Sequence, residues 1–255
     1  MFDADALVVI TLTFLLAGGV KGVIGLGLPT VSLAVLTATI GLQPAMALLL
    51  VPSFVTNVWQ AVVGGNGRVI TARIWPFLLT ATVTVWVGAM TLTRVDVWLL
   101  SALLGGLLVL YSLLNLGSPQ VSVPRRWEGW AGPIVGTTNG ILTGMTGSFV
   151  VPGVLYLQAI GLPRDMLIQA MGMLFAASTV ALALSLGGQR LLTFELGAIS
   201  AAAVVPALIG MVVGQRLRKR ISEATFRRVF FVALLLLGLY IIMGALAGDG
   251  GSELF

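Results

Sequence analysis

The 255-residue sequence contains no cysteine and no histidine. Without cysteine, the chain has neither disulfide bonds nor thiolate chemistry, and nothing in it reports the redox compartment. Without histidine, it lacks the commonest metal ligand and the usual general base near neutral pH. These two absences exclude thiolate and imidazole sites, both for metals and for catalysis.

Charged residues are also scarce. Asp, Glu, Lys and Arg make up only 9% of the chain, whereas about 25% is usual in a soluble domain. Hydrophobic residues make up 58% and the mean hydropathy is +1.07, which predicts an all-α polytopic membrane protein. The net charge of +5 comes largely from residues 216–228, a pattern typical of a cytoplasmic loop. It does not indicate a nucleic-acid partner.

The motifs of enzymes are missing too. There is no P-loop and no other catalytic constellation, so we expect neither an enzyme nor a bound cofactor. The N-terminal sequence MFDADAL lacks a basic region before a short apolar core, and we interpret it as mature sequence. Five acidic residues fall at the ends of apolar segments, where none is placed to carry a proton or to bind a metal cation at mid-membrane. They are Asp96, Glu128, Asp165, Glu195 and Glu223.

A glycine-rich apolar stretch occurs twice, at residues 12–40 and 136–160. Gly18 and Gly22 align with Gly136 and Gly140, and this register places Lys21 opposite Asn139. Such a duplication predicts two homologous halves with a site between them. We assign residues 1–117 to a first transmembrane repeat, 118–128 to a linker and 129–255 to a second transmembrane repeat.

The first apolar stretch of each half, at residues 6–40 and 130–160, is longer than the roughly 20 residues of a spanning helix. Its glycines permit turns, and Pro29 or Pro152 interrupts helical hydrogen bonding. We predict two helical pieces per stretch, arranged as a re-entrant hairpin or as short spans, followed by three spanning helices. Hairpins would make the repeats inverted. The positive-inside rule favours this, because most basic residues then lie on the cytoplasmic side, with Arg94 and Arg190 outside.

The candidate binding residues are polar residues and glycines of the two glycine-rich stretches, together with Asn57 in the second apolar segment, for which packing is the alternative. Lys21 near mid-membrane would attract an anion, although a lysine can instead extend to the interface. Asn139 would contribute hydrogen bonds, although a helix–helix bond is the alternative, and small-xxx-small glycine patterns can equally serve close helix packing. The predicted substrate-binding set is Lys21, Gly25, Gly27, Asn57, Asn139, Thr143, Gly144, Thr146, Gly147 and Ser148.

The paired glycine-rich stretches, the turns Gly41-Leu42-Gln43-Pro44 and Gly161-Leu162-Pro163, and the four-segment halves resemble the TauE/SafE family of sulfite exporters. The family is also named for toluene sulfonate uptake permeases. The resemblance covers nearly the whole chain, although many members have further glycines where Leu28-Pro29 stands here. It implies transport of sulfite, sulfonates or related small anions across the bacterial inner membrane.

The expected function is therefore a secondary transporter, in the direction of export, for small sulfur-containing anions. It would work by alternating access at a midplane site between the repeats. An anion channel and a non-transporting membrane scaffold are the alternatives. The expected partners are the anion and the lipid bilayer, and the sequence leaves open whether the protein forms a homodimer. Export needs no coupling ion when the cell interior is negative, because one charge gains about 2.3 kcal/mol per 100 mV.

Overall fold

The computed structural model describes residues 2–117, 122–218 and 220–247, and these residues form helices and no strands. The helices are α1 (Ala4–Ile24), α2 (Leu28–Ile40), α3 (Leu42–Leu48), α4 (Leu50–Val62), α5 (Gly67–Val83), α6 (Val85–Ala89), α7 (Val97–Gly117), α8 (Glu128–Thr146), α9 (Gly153–Ala159), α10 (Arg164–Gly188), α11 (Phe194–Ala202), α12 (Val204–Leu217) and α13 (Glu223–Ala247). The predicted all-α fold is confirmed.

Among the described residues, six helical segments are long and apolar enough to cross a membrane. The pair α3–α4, bent by 45°, adds a seventh if it counts as one span. Large apolar side chains are exposed along these helices, including Leu12, Leu79 and Leu236, as contact with lipid requires. The chain is thus a multi-pass membrane protein. The six segments are Ala4–Ile24, Gly67–Thr93, Val97–Gly117, Arg164–Gly188, Phe194–Leu217 and Ala224–Ala247.

Both glycine-rich stretches are broken into two helices, as predicted. α1 ends at Gly25, which has φ 80° and donates its N–H to the Lys21 carbonyl at 2.8 Å. α8 ends in the same way at Gly147, with φ 74° and a 2.7 Å bond to the Thr143 carbonyl. Glycine adopts this left-handed conformation without the steric penalty that a Cβ would bring. The two caps therefore fix equivalent breaks, after which α2 and α9 begin.

The chain forms two compact units, and each unit takes helices from both sequence halves. The first unit consists of the described parts of Met1–Pro52, Val95–Ser118 and Leu191–Phe255. The second consists of the described parts of Ser53–Arg94 and Pro119–Arg190. Sequence repeats and compact units therefore divide the chain differently, and the division into two repeats stays a prediction.

Two close helix pairs build the first unit. α1 and α12 run parallel with backbones in contact, because Gly18 lies against the Ala207 carbonyl and Gly22 against the Met211 carbonyl. α7 and α13 run antiparallel. Gly105 lies opposite Gly238, where an added Cβ would stand 2.7 Å from the Gly238 carbonyl oxygen. Further along the same pair, the rings of Tyr111 and Phe231 pack edge-to-face at 5.3 Å.

In the second unit, α8 packs in parallel against α5 and α6. Gly140 lies against the Ala81 carbonyl and Gly144 against the Val85 carbonyl. This pairing has the same form as that of α1 with α12. In the first unit, α1 of the first sequence half thus packs against α12 of the second half. In the second unit, α8 of the second half packs against α5 and α6 of the first half.

The helix breaks correct the predicted register of the repeat. Counted back from the left-handed caps at Gly25 and Gly147, Gly18 corresponds to Gly140 and Gly22 to Gly144, one helical turn beyond the predicted match. Lys21 therefore corresponds to Thr143, and its predicted pairing with Asn139 is wrong. Aligning glycines by sequence alone could not separate registers one turn apart, because the glycines themselves recur every turn.

The second glycine-rich stretch folds back on itself. Arg73 on α5 forms a bidentate ion pair with Glu128 at the start of α8, at 2.6 and 2.9 Å. The same guanidinium donates to the Ile160 carbonyl just after α9, at 2.7 Å. One side chain thus joins the beginning and the end of the stretch, so α8 and α9 form a hairpin.

Candidate functional site

The first candidate site is the break between α1 and α2 in the first unit. Lys21 lies one turn before the cap at Gly25 and is 5% exposed. It is the only buried charged residue in the part of the chain that the structure describes. Placing an ammonium group in an apolar interior is unfavourable without compensating negative charge or hydrogen bonds. A positive charge held there favours an anion.

The start of α2 adds backbone donors to this break. Gly27 precedes α2 with φ 109°, and a Cβ there would meet a Val20 methyl at 2.9 Å and the Phe230 ring at 3.6 Å. The first-turn N–H groups of a helix have no partner within the helix, and they favour negative charge. In α2 they belong to Leu28 and Thr30, since Pro29 has none. Lys21, Gly25 and Gly27 are therefore brought to one break.

The second candidate site is the turn between α8 and α9 in the second unit. Asn139 accepts a hydrogen bond from the Gly153 N–H at 2.8 Å. The Thr143 hydroxyl donates to the Ser148 carbonyl at 2.9 Å, and the Ser148 N–H donates to the Thr146 hydroxyl at 3.2 Å. These predicted residues come together with Gly147 in one turn that side chains hold to the backbone.

Three buried polar atoms, two at this turn and one on α10, make no hydrogen bond to any described residue. They are Asn139 Nδ2, Ser148 Oγ and Ser178 Oγ. Ser178 lies on α10, one turn beyond Leu174, which approaches the Cβ position of Gly153 to 3.0 Å. Nearby, the rings of Phe149 and Phe175 pack at 5.9 Å. The turn and this face of α10 therefore adjoin.

Other predicted residues have different surroundings. Asn57 is fully buried on α4. Gly144 lies against the backbone of α6, so close packing accounts for a glycine there. The polar residues Gln60 and Gln169 donate to the carbonyls of Ile168 and Ala61 at 2.7 and 2.8 Å. These two amides therefore tie the end of α4 to the start of α10.

Sequence reasoning missed the ion pair of Arg73 with Glu128. It placed Glu128 only at a segment end and used Arg73 only in the count of cytoplasmic basic residues. Their opposite sign was the one available signal, and no spacing rule pairs residues on different segments. Gly153 was missed as well, because a backbone N–H that needs a side-chain acceptor leaves no trace in residue type.

A family model described as "Sulfite exporter TauE/SafE" matches residues 10–241. Comparison with curated proteins and with solved structures gave no match. The match covers most of the chain and confirms the predicted resemblance. The chain belongs to the TauE/SafE family, a family of membrane transporters of the sulfite-exporter type.

Proposed function

We propose that this member of the TauE/SafE family carries a small sulfur-containing anion, such as sulfite or an organosulfonate, across the bacterial inner membrane. The observation that carries the proposal is the burial of Lys21 beside a broken helix. The site is exposed alternately to the two sides of the membrane. The substrate binds at the α1–α2 break through the ammonium group and the first-turn N–H groups of α2.

The burial of Lys21 supports a binding role over an interfacial one. A lysine that extends to the interface keeps its ammonium group in water. At 5% exposure, the Lys21 side chain does not do so. An incoming anion would supply the negative charge that a buried ammonium group favours. Binding and release of substrate would then change the net charge around Lys21.

The distribution of acidic residues supports export. Asp and Glu are absent from the buried residues in the described ranges, so no carboxylate is placed to carry a proton with the anion. A negative cell interior expels an anion, with about 2.3 kcal/mol gained per charge and 100 mV. The proposed transport is therefore electrogenic outward flow without a coupled proton.

The test is sulfite and sulfoacetate flux from proteoliposomes that contain wild-type protein or Lys21→Met. Losing one charge-assisted hydrogen bond lowers binding about ten-fold or more, and we expect flux at subsaturating anion to fall accordingly. Arg68→Met is the matched control, because it removes an exposed cation and should leave flux unchanged. Thermal unfolding of each variant checks that it is folded.

Each alternative predicts a different result. Equal flux in Lys21→Met and wild type would assign Lys21 a structural role and contradict the proposed site. Unitary currents in a planar bilayer would indicate a channel. Absence of flux for every small anion tested would contradict transport altogether and favour a membrane scaffold.

A further inference from the structure

A short 3-10 turn, Arg125–Trp127, leads into α8, and the chain is held on both sides of it. Before the turn, the Val123 N–H donates to the Ala159 carbonyl at the end of α9, at 2.8 Å. After the turn, the Glu128 carboxylate is bound by Arg73 of α5. These contacts lie within the second unit, and they give the side chains of the turn a fixed backbone.

The turn carries two positive charges that no neighbouring acid balances. Arg125 and Arg126 are both exposed, and neither forms an ion pair with an acid of residues 2–117, 122–218 or 220–247. Glu128, the acid nearest to them in sequence, is already engaged by Arg73. The two guanidinium groups therefore remain available to an anionic partner.

Two exposed tryptophans stand beside these arginines. The Arg126 guanidinium lies over the Trp127 ring, 5.6 Å from the ring centroid. The centroids of the Trp127 and Trp130 rings are 6.1 Å apart. A cation over an aromatic face is attracted to it, which keeps this guanidinium next to the rings. The arginines and tryptophans of residues 125–130 thus form one surface, the basic turn.

The level of the basic turn in the membrane follows from the parallel course of α5 and α8. Arg73 and Glu128 pair with each other, and each is followed two residues later by an exposed tryptophan, Trp75 or Trp130. These two tryptophans therefore lie at a similar level. Tryptophan is enriched where the hydrocarbon core meets the headgroups. The two arginines precede Trp130 and lie outside α8, so they reach the headgroup region.

We propose that the basic turn binds the headgroup of an anionic phospholipid. A guanidinium can donate two parallel hydrogen bonds to a phosphate, and an indole N–H can donate to a further headgroup oxygen. Two uncompensated positive charges favour a headgroup with net negative charge over a zwitterionic one, whose ammonium group they repel. Anionic lipids face the cytoplasm, which is the side that the positive-inside rule predicts for this turn.

The aromatic half of the basic turn favours a lipid over a soluble phosphate. A soluble anion would use the arginines and leave both indole rings exposed. A phospholipid also brings its glycerol and the upper part of its acyl chains, which cover apolar ring surface. This inference concerns the bilayer around the protein and is independent of which anion the protein transports.

The test uses the absence of native cysteine. A fluorophore is attached at Ser122→Cys, an exposed position just before the turn, and the protein is reconstituted into phosphatidylcholine vesicles. Energy transfer to phosphatidylglycerol or phosphatidylcholine, each with an acceptor dye on an acyl chain, gives the relative association constant of the two lipids at the turn.

Three double variants are compared on this background. Arg125→Gln/Arg126→Gln removes both charges, and Arg125→Lys/Arg126→Lys keeps the charges without the guanidinium geometry. The matched control is Arg216→Gln/Arg218→Gln, which removes two exposed arginines from the basic loop after α12. Thermal unfolding in detergent checks that each variant is folded.

We expect the wild-type turn to prefer phosphatidylglycerol. The glutamine variant of the turn should lower the relative association constant by up to about thirty-fold, because each arginine near an anionic surface contributes to binding. The lysine variant should keep part of the preference, since an ammonium group retains the charge but cannot bind phosphate through a planar fork. The control variant should keep the wild-type preference.

Three results would overturn this inference. A wild-type protein without preference for phosphatidylglycerol would show that the turn does not select an anionic lipid. Equal losses in the two glutamine variants would assign the preference to the overall charge of the basic surface. Displacement of labelled phosphatidylglycerol by inorganic phosphate would assign the turn to a soluble anion. Sulfite flux is measured separately, so the proposed function can fail or hold whichever result is found.

Discussion

At the scale of single residues, Asn139 has two roles in one side chain. Its oxygen joins α8 to the start of α9 through Gly153, and its nitrogen remains a donor. We predict that Asn139→Ala lowers the free energy of unfolding by about 1–3 kcal/mol, because the buried Gly153 N–H loses its acceptor. Thermal unfolding in detergent measures the change.

Ser178→Ala is the comparison for that experiment. It removes a buried hydroxyl that has no partner in the described ranges, so its stability should equal or exceed that of the wild type. Equal destabilisation by Asn139→Ala and Ser178→Ala would show that the Gly153 bond does not matter for stability.

Residue chemistry made part of the site predictable. A lysine and an asparagine inside apolar stretches stand out in the sequence, and both proved to be buried. Their predicted correspondence was wrong, because Lys21 corresponds to Thr143. The register depends on which glycine of each stretch ends the helix in a left-handed cap, and each stretch has several glycines that could do so.

At the scale of helices, glycine faces determine which helices meet. Gly105 and Gly106 are neighbours on α7 and differ sharply in their surroundings. A Cβ on Gly105 would approach the Gly238 carbonyl to 2.7 Å, whereas a Cβ on Gly106 meets no described atom within 4 Å. The two positions therefore separate packing effects from helix propensity.

We predict that Gly105→Ala destabilises the protein, because α7 and α13 must move apart. Gly106→Ala should be neutral or stabilising by up to about 1 kcal/mol, because alanine favours a helix over glycine. Thermal unfolding of the two variants tests this prediction. The same loss of stability in both would contradict the packing of this helix pair.

The α8–α9 hairpin is closed by one guanidinium. We predict that Arg73→Met lowers the free energy of unfolding by about 1–3 kcal/mol, since Glu128 and the Ile160 carbonyl lose their donor. The Arg73 side chain is 24% exposed, so solvent screens the ion pair and the loss in free energy of unfolding lies toward the lower end of this range. Chemical unfolding of Arg73→Met, Glu128→Gln and the double variant forms a mutant cycle. Additive losses would show that the two side chains are not coupled.

The breaks in the two glycine-rich stretches were predictable from length and glycine content. The choice of helix partners was not. Both sequence halves carry small-residue faces on their first and third segments, so pairing within a half and pairing across halves fit the sequence equally well. Only the three-dimensional packing shows that α1 meets α12 and that α8 meets α5 and α6.

At the scale of the whole molecule, we propose that the two repeats are inverted in the membrane. Corresponding helices of inverted repeats run in opposite directions. The antiparallel course of α7 and α13, the last helices of the two halves, supports this proposal. The hairpin of α8 and α9 supports it by analogy. If the first glycine-rich stretch returns to its starting side in the same way, the first half crosses the membrane an odd number of times and the second half begins on the opposite side.

The absence of native cysteine allows a direct test of topology. We predict that Arg68→Cys is labelled from the cytoplasmic side and Arg94→Cys from the outside, by a membrane-impermeant thiol reagent. Both residues are exposed. Arg68 lies at the start of segment Gly67–Thr93, and Arg94 follows its end. Parallel repeats would give the opposite labelling of both positions.

Composition alone made the membrane class and the helical fold predictable, because charged residues are too few for a soluble surface. The exchange of helices between sequence halves was not predictable, because each compact unit gathers segments that are distant in the chain. Substrate chemistry came from the family resemblance. The burial of individual polar atoms, which decides the proposed contacts, required the three-dimensional structure.

The central claim is that the protein carries a small sulfur-containing anion without a coupled proton, so that transport moves net charge across the membrane. The most direct measurement is sulfite efflux from proteoliposomes under an imposed membrane potential of either sign. We predict that efflux accelerates when the vesicle interior is negative, slows when it is positive, and depends on Lys21 in both cases. Sulfite flux that does not change with the membrane potential, or an absence of sulfite flux in the wild type, would contradict the account.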